Sequence, residues 1–71
     1  MRAYRQLGWF KHGVQYDVKC NGLTAAGKPA KPAITVFSYD DTRADAVALA
    51  IAELNRYGYT NLTADKIVRY K

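Results

Sequence analysis

Seventy-one residues, 49% of them hydrophobic and 24% charged, describe one small folded domain and exclude a disordered or multidomain chain. The net charge is +5, which favours anionic partners. The single cysteine, Cys20, excludes an internal disulfide and argues against a small secreted, disulfide-stapled module. The longest apolar run, Ala46–Ala52, falls far short of the roughly 20 residues that a membrane span needs. Met1–Phe10 lacks the apolar core of a signal peptide, so a reducing cytoplasm is the expected location, with no membrane contact. In that setting the glycosylation-like Asn61-Leu62-Thr63 is a chance match.

In chain order, Tyr4–Phe10 is aromatic-rich and reads as a first strand. Lys11-His12-Gly13 would turn it back as a hairpin onto the next segment. Val14–Asn21 is the clearest strand. Val14, Tyr16, Val18 and Cys20 alternate with Gln15, Asp17, Lys19 and Asn21, which gives one apolar face and one polar face. Gly22–Pro32 holds Gly22, Gly27, Pro29 and Pro32 together with Lys28 and Lys31, and its composition predicts a long irregular basic loop. Ala33–Tyr39 reads as a strand with Ile34 and Val36 on one face and Thr35, Phe37 and Tyr39 on the other.

The strongest local signal is a helix over Thr42–Tyr57. Thr42 is placed to cap it, with Asp45 three residues on in the manner of a capping box. Val47, Ala50, Ile51 and Leu54 form a core-facing stripe, Leu49 falls on the polar side, and Gly58 is placed to stop the helix. Asp40 and Asp41 precede the positive end of its dipole, which gives them a structural explanation. Lys66–Tyr70 reads as a short last strand, Ile67 on one face and Val68 and Tyr70 on the other. The expected fold is α+β, an antiparallel sheet of three to four strands with one helix packed on one face, in the order β-β-β-α-β over a single domain, residues 1–71.

Charge is unevenly placed. Residues 1–32 carry Arg2, Arg5, Lys11, Lys19, Lys28 and Lys31 against Asp17, a net of +5. Residues 33–61 carry Arg43 and Arg56 against Asp40, Asp41, Asp45 and Glu53, a net of −2. Basic residues interleave with rings at the N-terminus, where rings suit unpaired bases and Lys and Arg suit phosphates. Trp9 is read as core, because a domain of this size needs its large side chains inside.

Catalytic chemistry has little to work with. His12 is the only histidine, and Cys20 sits on the apolar face of its strand, as a buried structural thiol does. The clustered Cys and His of a structural zinc site are missing from the sequence, as is a Gly-rich phosphate loop. A non-enzymatic binding module with no cofactor is the expectation.

Two layouts come close. Tyr4-Arg5, three strands and Phe37-Ser38-Tyr39-Asp40-Asp41-Thr42 leading into an Ala-rich helix resemble the plant AP2-type domain and the integrase arm-binding domains. That resemblance implies a sheet laid on DNA, although Ala33–Tyr39 carries no basic residue. Ile34–Asp41, Thr42–Tyr57 and Lys66–Tyr70 resemble the strand–helix–strand order of the small bacteriophage inhibitors of host RNA polymerase, which implies a protein partner.

The sequence therefore predicts a monomer or homodimer that binds nucleic acid through Arg2, Tyr4, Arg5, Phe10, Lys11, Lys19, Lys28 and Lys31, on the N-terminal hairpin and the Gly22–Pro32 loop. The alternative is a small phage-type regulator or inhibitor that docks on a larger protein complex by a sheet edge or face.

Overall fold

The computed structural model describes residues 13–70. It contains four strands, β1 (Val14–Leu23), β2 (Pro29–Ala30), β3 (Ala33–Ser38) and β4 (Thr60–Arg69), and one helix, α1 (Arg43–Arg56), in the order β-β-β-α-β. All pairings are antiparallel, and all are made with β1. This is an α+β architecture with the helix packed on the sheet.

β1 is the central strand. β4 pairs with one edge from Tyr16 to Leu23, and the Tyr70 amide extends that ladder by donating to the Gln15 carbonyl at 2.9 Å. β3 pairs with the other edge from Val14 to Lys19, and β2 continues it at Gly22 and Leu23. Both edges of β1 are thus filled by described strands. Tyr4–Phe10, expected to form a hairpin with this strand, lies outside the described residues.

The Gly22–Pro32 segment is not the long irregular loop its composition predicts. β2 and β3 keep one register against β1, so the hairpin runs on to a short tip at Thr24–Lys28. The tip closes through the Thr24 amide to the Lys28 carbonyl and the Gly27 amide to the Thr24 carbonyl, both at 2.8 Å. Ladder bonds fall on alternate pairs of an antiparallel ribbon. They fall on Thr24–Lys28 and on Cys20–Pro32, where the Cys20 amide donates to the Pro32 carbonyl. Pro29, opposite Leu23, sits on the pair between, where its missing N–H would have faced outward. Pro32 does remove a ladder donor, and the strand breaks at Lys31-Pro32.

β4 is twice the length expected from the sequence. It carries irregularities opposite Lys19/Cys20 and Asn21/Leu23, one of them at Asn61, whose φ is 53°. Only Leu62 and Ile67 are even partly buried, so the hydrophobic alternation that marks a strand is absent. Gly22 admits this bulged strand closely. A Cβ there would stand 2.7 Å from Leu62 Cδ2 and 2.8 Å from the Thr60 carbonyl oxygen.

The helix starts and stops where the sequence places it. The Thr42 hydroxyl accepts from the Asp45 amide at 3.1 Å, and Gly58 follows the helix with φ of 100°. Its buried residues are Ala46, Ala50 and Leu54, with the expected Val47 and Ile51 only half-buried. Two alanines on the inner line let the helix lie close over the sheet. Tyr16, Val18, Cys20 and Val36 complete the core from below, flanked by Val14, Ile34, Tyr59, Leu62 and Ile67. Because β3 and β4 are both antiparallel to β1, they are parallel to each other. β3–α1–β4 is therefore a split βαβ crossover with β1 between its strands.

The turn from β3 into α1 is held by a polar clamp. Arg69 of β4 donates to Asp41 from Nε to Oδ1 at 2.8 Å and from a terminal nitrogen to Oδ2 at 2.7 Å. The buried Tyr16 hydroxyl donates to the same Oδ1 at 2.7 Å. Buried Ser38 donates to Asp45 at 2.8 Å and accepts from the Thr42 amide at 3.3 Å. Asp41 is thus not simply a residue near the helix dipole. It ties β1 and β4 to the helix start, in a left-handed backbone conformation (φ 55°) that Asp tolerates.

The hydrogen bonds from Arg69 and Tyr16 hold the Asp41 carboxyl well below its ordinary value of 3.8, at about 2. A depressed native pKa contributes stability that is complete above the unfolded value and is lost as pH falls toward the native one. Thermal melts should therefore show stability lost between about pH 4 and pH 2. Asp41→Asn should melt lower than wild type at pH 7 and show a shallower loss across that acid window. Parallel pH profiles for the two proteins would contradict the clamp.

Candidate binding surface

Helix packing divides the sheet into two faces. The even-numbered residues of β1 face α1, and the odd-numbered ones face away. Cross-strand partners share a face, so the register fixes the membership of the open face row by row. Gln15 lies between Phe37 and Tyr70, Asp17 between Thr35 and Val68, and Lys19 between Ala33 and Lys66. In the next row Asn21 lies beside Thr63, and continued alternation sets Lys31 on its other side.

The face grades from ring-bearing to basic. Tyr70 and Phe37 mark one end, and Lys19, Lys31 and Lys66 mark the other. Lys19 and Lys66 are register partners, which places two like charges directly opposite each other. Such a pair is destabilising in a free sheet. The ion pairs among the described residues are Arg56–Glu53 and Arg69–Asp41, so these three exposed lysines have no acidic partner there. A shallow depression of about 380 Å³ opens beside Lys19 and Lys66, lined also by Asp17, Val18, Ala33, Ile34, Thr35 and Val68.

Asp17, the acid within this face, is already engaged. Thr35 donates to it at 2.8 Å. That bond and the neighbouring Tyr70 phenol lower the Asp17 pKa, and the carboxylate in turn raises that of the phenol. The carboxylate thereby holds the Thr35 side chain across the β1–β3 pair.

The sequence-predicted residues are distributed unevenly. Lys19 and Lys31 come together on the open face. Lys28 is exposed at the hairpin tip, where alternation turns it to the other side. Arg2, Tyr4, Arg5, Phe10 and Lys11 lie outside the described residues. Lys66 and Tyr70 were not among the predicted contacts. A signal for them existed, because Lys66, Val68 and Tyr70 alternate around Ile67, but only the pairing of β4 with β1 sets them beside Lys19 and Asp17.

On the opposite side, the expected exposure of Leu49 is seen at 40%, and Tyr57 is 66% exposed. Both line an open groove of about 470 Å³ along β3 beside α1, shared with Ile34, Thr35, Val36, Phe37 and Glu53.

No protein-family model, curated protein or solved structure matches the chain. The layout resemblances drawn from the sequence therefore rest on element order alone. No helix among the described residues is long and apolar enough to cross a membrane.

Cys20 is fully buried under α1, and burial pushes its thiol pKa up. Both effects suppress the thiolate, the reactive form. Native protein should react with a thiol reagent only at the rate of unfolding, whereas denatured protein should react at once. Rapid stoichiometric labelling of the folded protein at neutral pH would contradict this placement.

Proposed function

We propose that this domain is a non-enzymatic module that binds nucleic acid through the open face of its sheet. The observation that carries the reading is the basic cluster on that face, Lys19 and Lys66 at a shallow depression with Lys31 in the next row, none of them ion-paired among the described residues. Phosphates would offset the repulsion between the facing Lys19 and Lys66. Thr35, Asn21 and Thr63 add neutral hydrogen-bonding groups to the same surface. The charge outside the described residues works in the same direction. Residues 13–70 carry seven basic side chains against six acidic ones, and the rest of the +5 resides in Arg2, Arg5, Lys11 and Lys71. Those residues add long-range attraction for a polyanion.

This reading moves the expected contact region. The Gly22–Pro32 segment contributes Lys31 from the edge of a hairpin rather than as part of a long loop, and β4 contributes Lys66. A second reading, docking on a larger protein, draws on the apolar groove of Leu49, Tyr57, Ile34 and Val36 beside α1. A partner retained on immobilised domain after nuclease treatment, and released by Leu49→Asp, would favour it.

Fluorescence anisotropy with a labelled oligonucleotide across a salt series tests the first reading. Binding should weaken steeply with salt. Replacing Lys19, Lys31 and Lys66 together with Gln should reduce the slope of log affinity against log salt by about 2–3. It should also weaken binding by about an order of magnitude or more at low salt. An unchanged slope in the triple variant, with its fold intact by circular dichroism, would remove this face from the account.

A further inference from the structure

We infer that the nucleic acid received by this face is single-stranded, and that Tyr70 is the ring on which one of its bases stacks. The inference rests on the nucleic-acid reading of the same face and adds the class of ligand and the residue that selects it. Tyr70 stands immediately after β4, where its amide bond to the Gln15 carbonyl carries the ladder one residue further and holds its backbone in the sheet. Its phenol is close enough to Asp17 for the carboxylate to raise its pKa, and Asp17 accepts from Thr35 of β3. Yet 45% of the residue remains exposed. A tyrosine whose backbone is fixed in the ladder while much of the residue stays exposed is a partly preorganised stacking platform that loses less entropy on binding than one on a free chain end.

Its position relative to the charge completes the site. Lys66, Val68 and Tyr70 follow one another along the open face of β4, and each two-residue step of a strand advances about 6.8 Å. Tyr70 therefore lies about 14 Å from Lys66, with Val68, at the rim of the depression, between them. A strand whose phosphates rest on Lys19, Lys31 and Lys66 can lay its next bases over Val68 and against the Tyr70 ring. Bases inside a duplex are already stacked on both faces and cannot do this, whereas unpaired bases can. A sheet face that no described element covers, with the Tyr70 ring at one end and lysines at the other, matches the combination by which single strands are held, stacking together with backbone neutralisation.

The test compares three probes of equal length at matched salt: a single-stranded oligonucleotide, its duplex, and a single strand of abasic sugar–phosphate units. Wild-type protein should prefer the base-bearing single strand to the duplex by about tenfold or more. Tyr70→Leu should lose about five- to a hundredfold in affinity for that strand and little for the abasic one. Tyr70→Phe, which keeps the ring, should stay near wild type. Photocrosslinking of wild-type protein to an oligonucleotide bearing 5-iodouracil should place a crosslink at Tyr70, which keeps the inference open to refutation even if a variant fails to fold. Equal affinity for duplex and single strand, or an equal loss by Tyr70→Leu on base-bearing and abasic strands, would overturn it while leaving the lysine face intact. So would crosslinks confined to other residues. Failure of all three probes to bind would overturn the nucleic-acid reading itself.

Discussion

Everything in this domain is organised by one strand that has neighbours on both edges. β1 supplies every pairing in the sheet, and its period-two alternation divides the molecule into a dry side and a wet side. A shift of one residue would send Lys19 and Asp17 under the helix and bring Val18 and Cys20 into water. Desolvating two charged groups costs far more than a strand of this length recovers, so the register is firmly specified. The helix, the clamp and the open face all follow from that choice.

The helix is scaffold in this account. Its alanines bring it close to the sheet, Thr42 caps it, and Asp41 ties its entry to β4 and β1 through Arg69 and Tyr16. The two irregularities in β4 have a protective effect as well. A twisted, bulged edge bearing Asp65, Lys66 and Arg69 is a poor template for adding another chain. Lys31 and Pro32 interrupt the opposite edge between β2 and β3.

Much of this was legible in the sequence, and the reason differs by element. The alternation of Val14–Asn21 and the capped amphipathic pattern of Thr42–Tyr57 are local signals, and both gave the right element on the right face. The proline-rich segment misled because composition does not reveal parity. Pro29 is harmless on a pair that needs no inward donor, and this depends on its register with Leu23. β4 was found only at its end because its outer residues are polar and its bulges break the period. Asp41 gave no local sign of its partner, since Arg69 is 28 residues away. The membership of the proposed surface was only partly legible. Lys19 and Lys31 were named from charge, while placing Lys66 and Tyr70 on the same face needed the non-local pairing of β4 with β1.

In the proposed reading, a lysine-bearing sheet face opposite a capped helix separates recognition from stability. Core residues would stay fixed while the outward row of each strand is given over to a ligand. The claim that recognition belongs to that outward row is tested most directly by nuclear magnetic resonance. Amide shifts of labelled protein would be followed as a single-stranded oligonucleotide is added. The account predicts perturbations concentrated at Asp17, Lys19, Lys31, Thr35, Lys66, Val68 and Tyr70. Perturbations centred instead on Leu49 and Tyr57 beside the helix, or none at all at low salt, would contradict it.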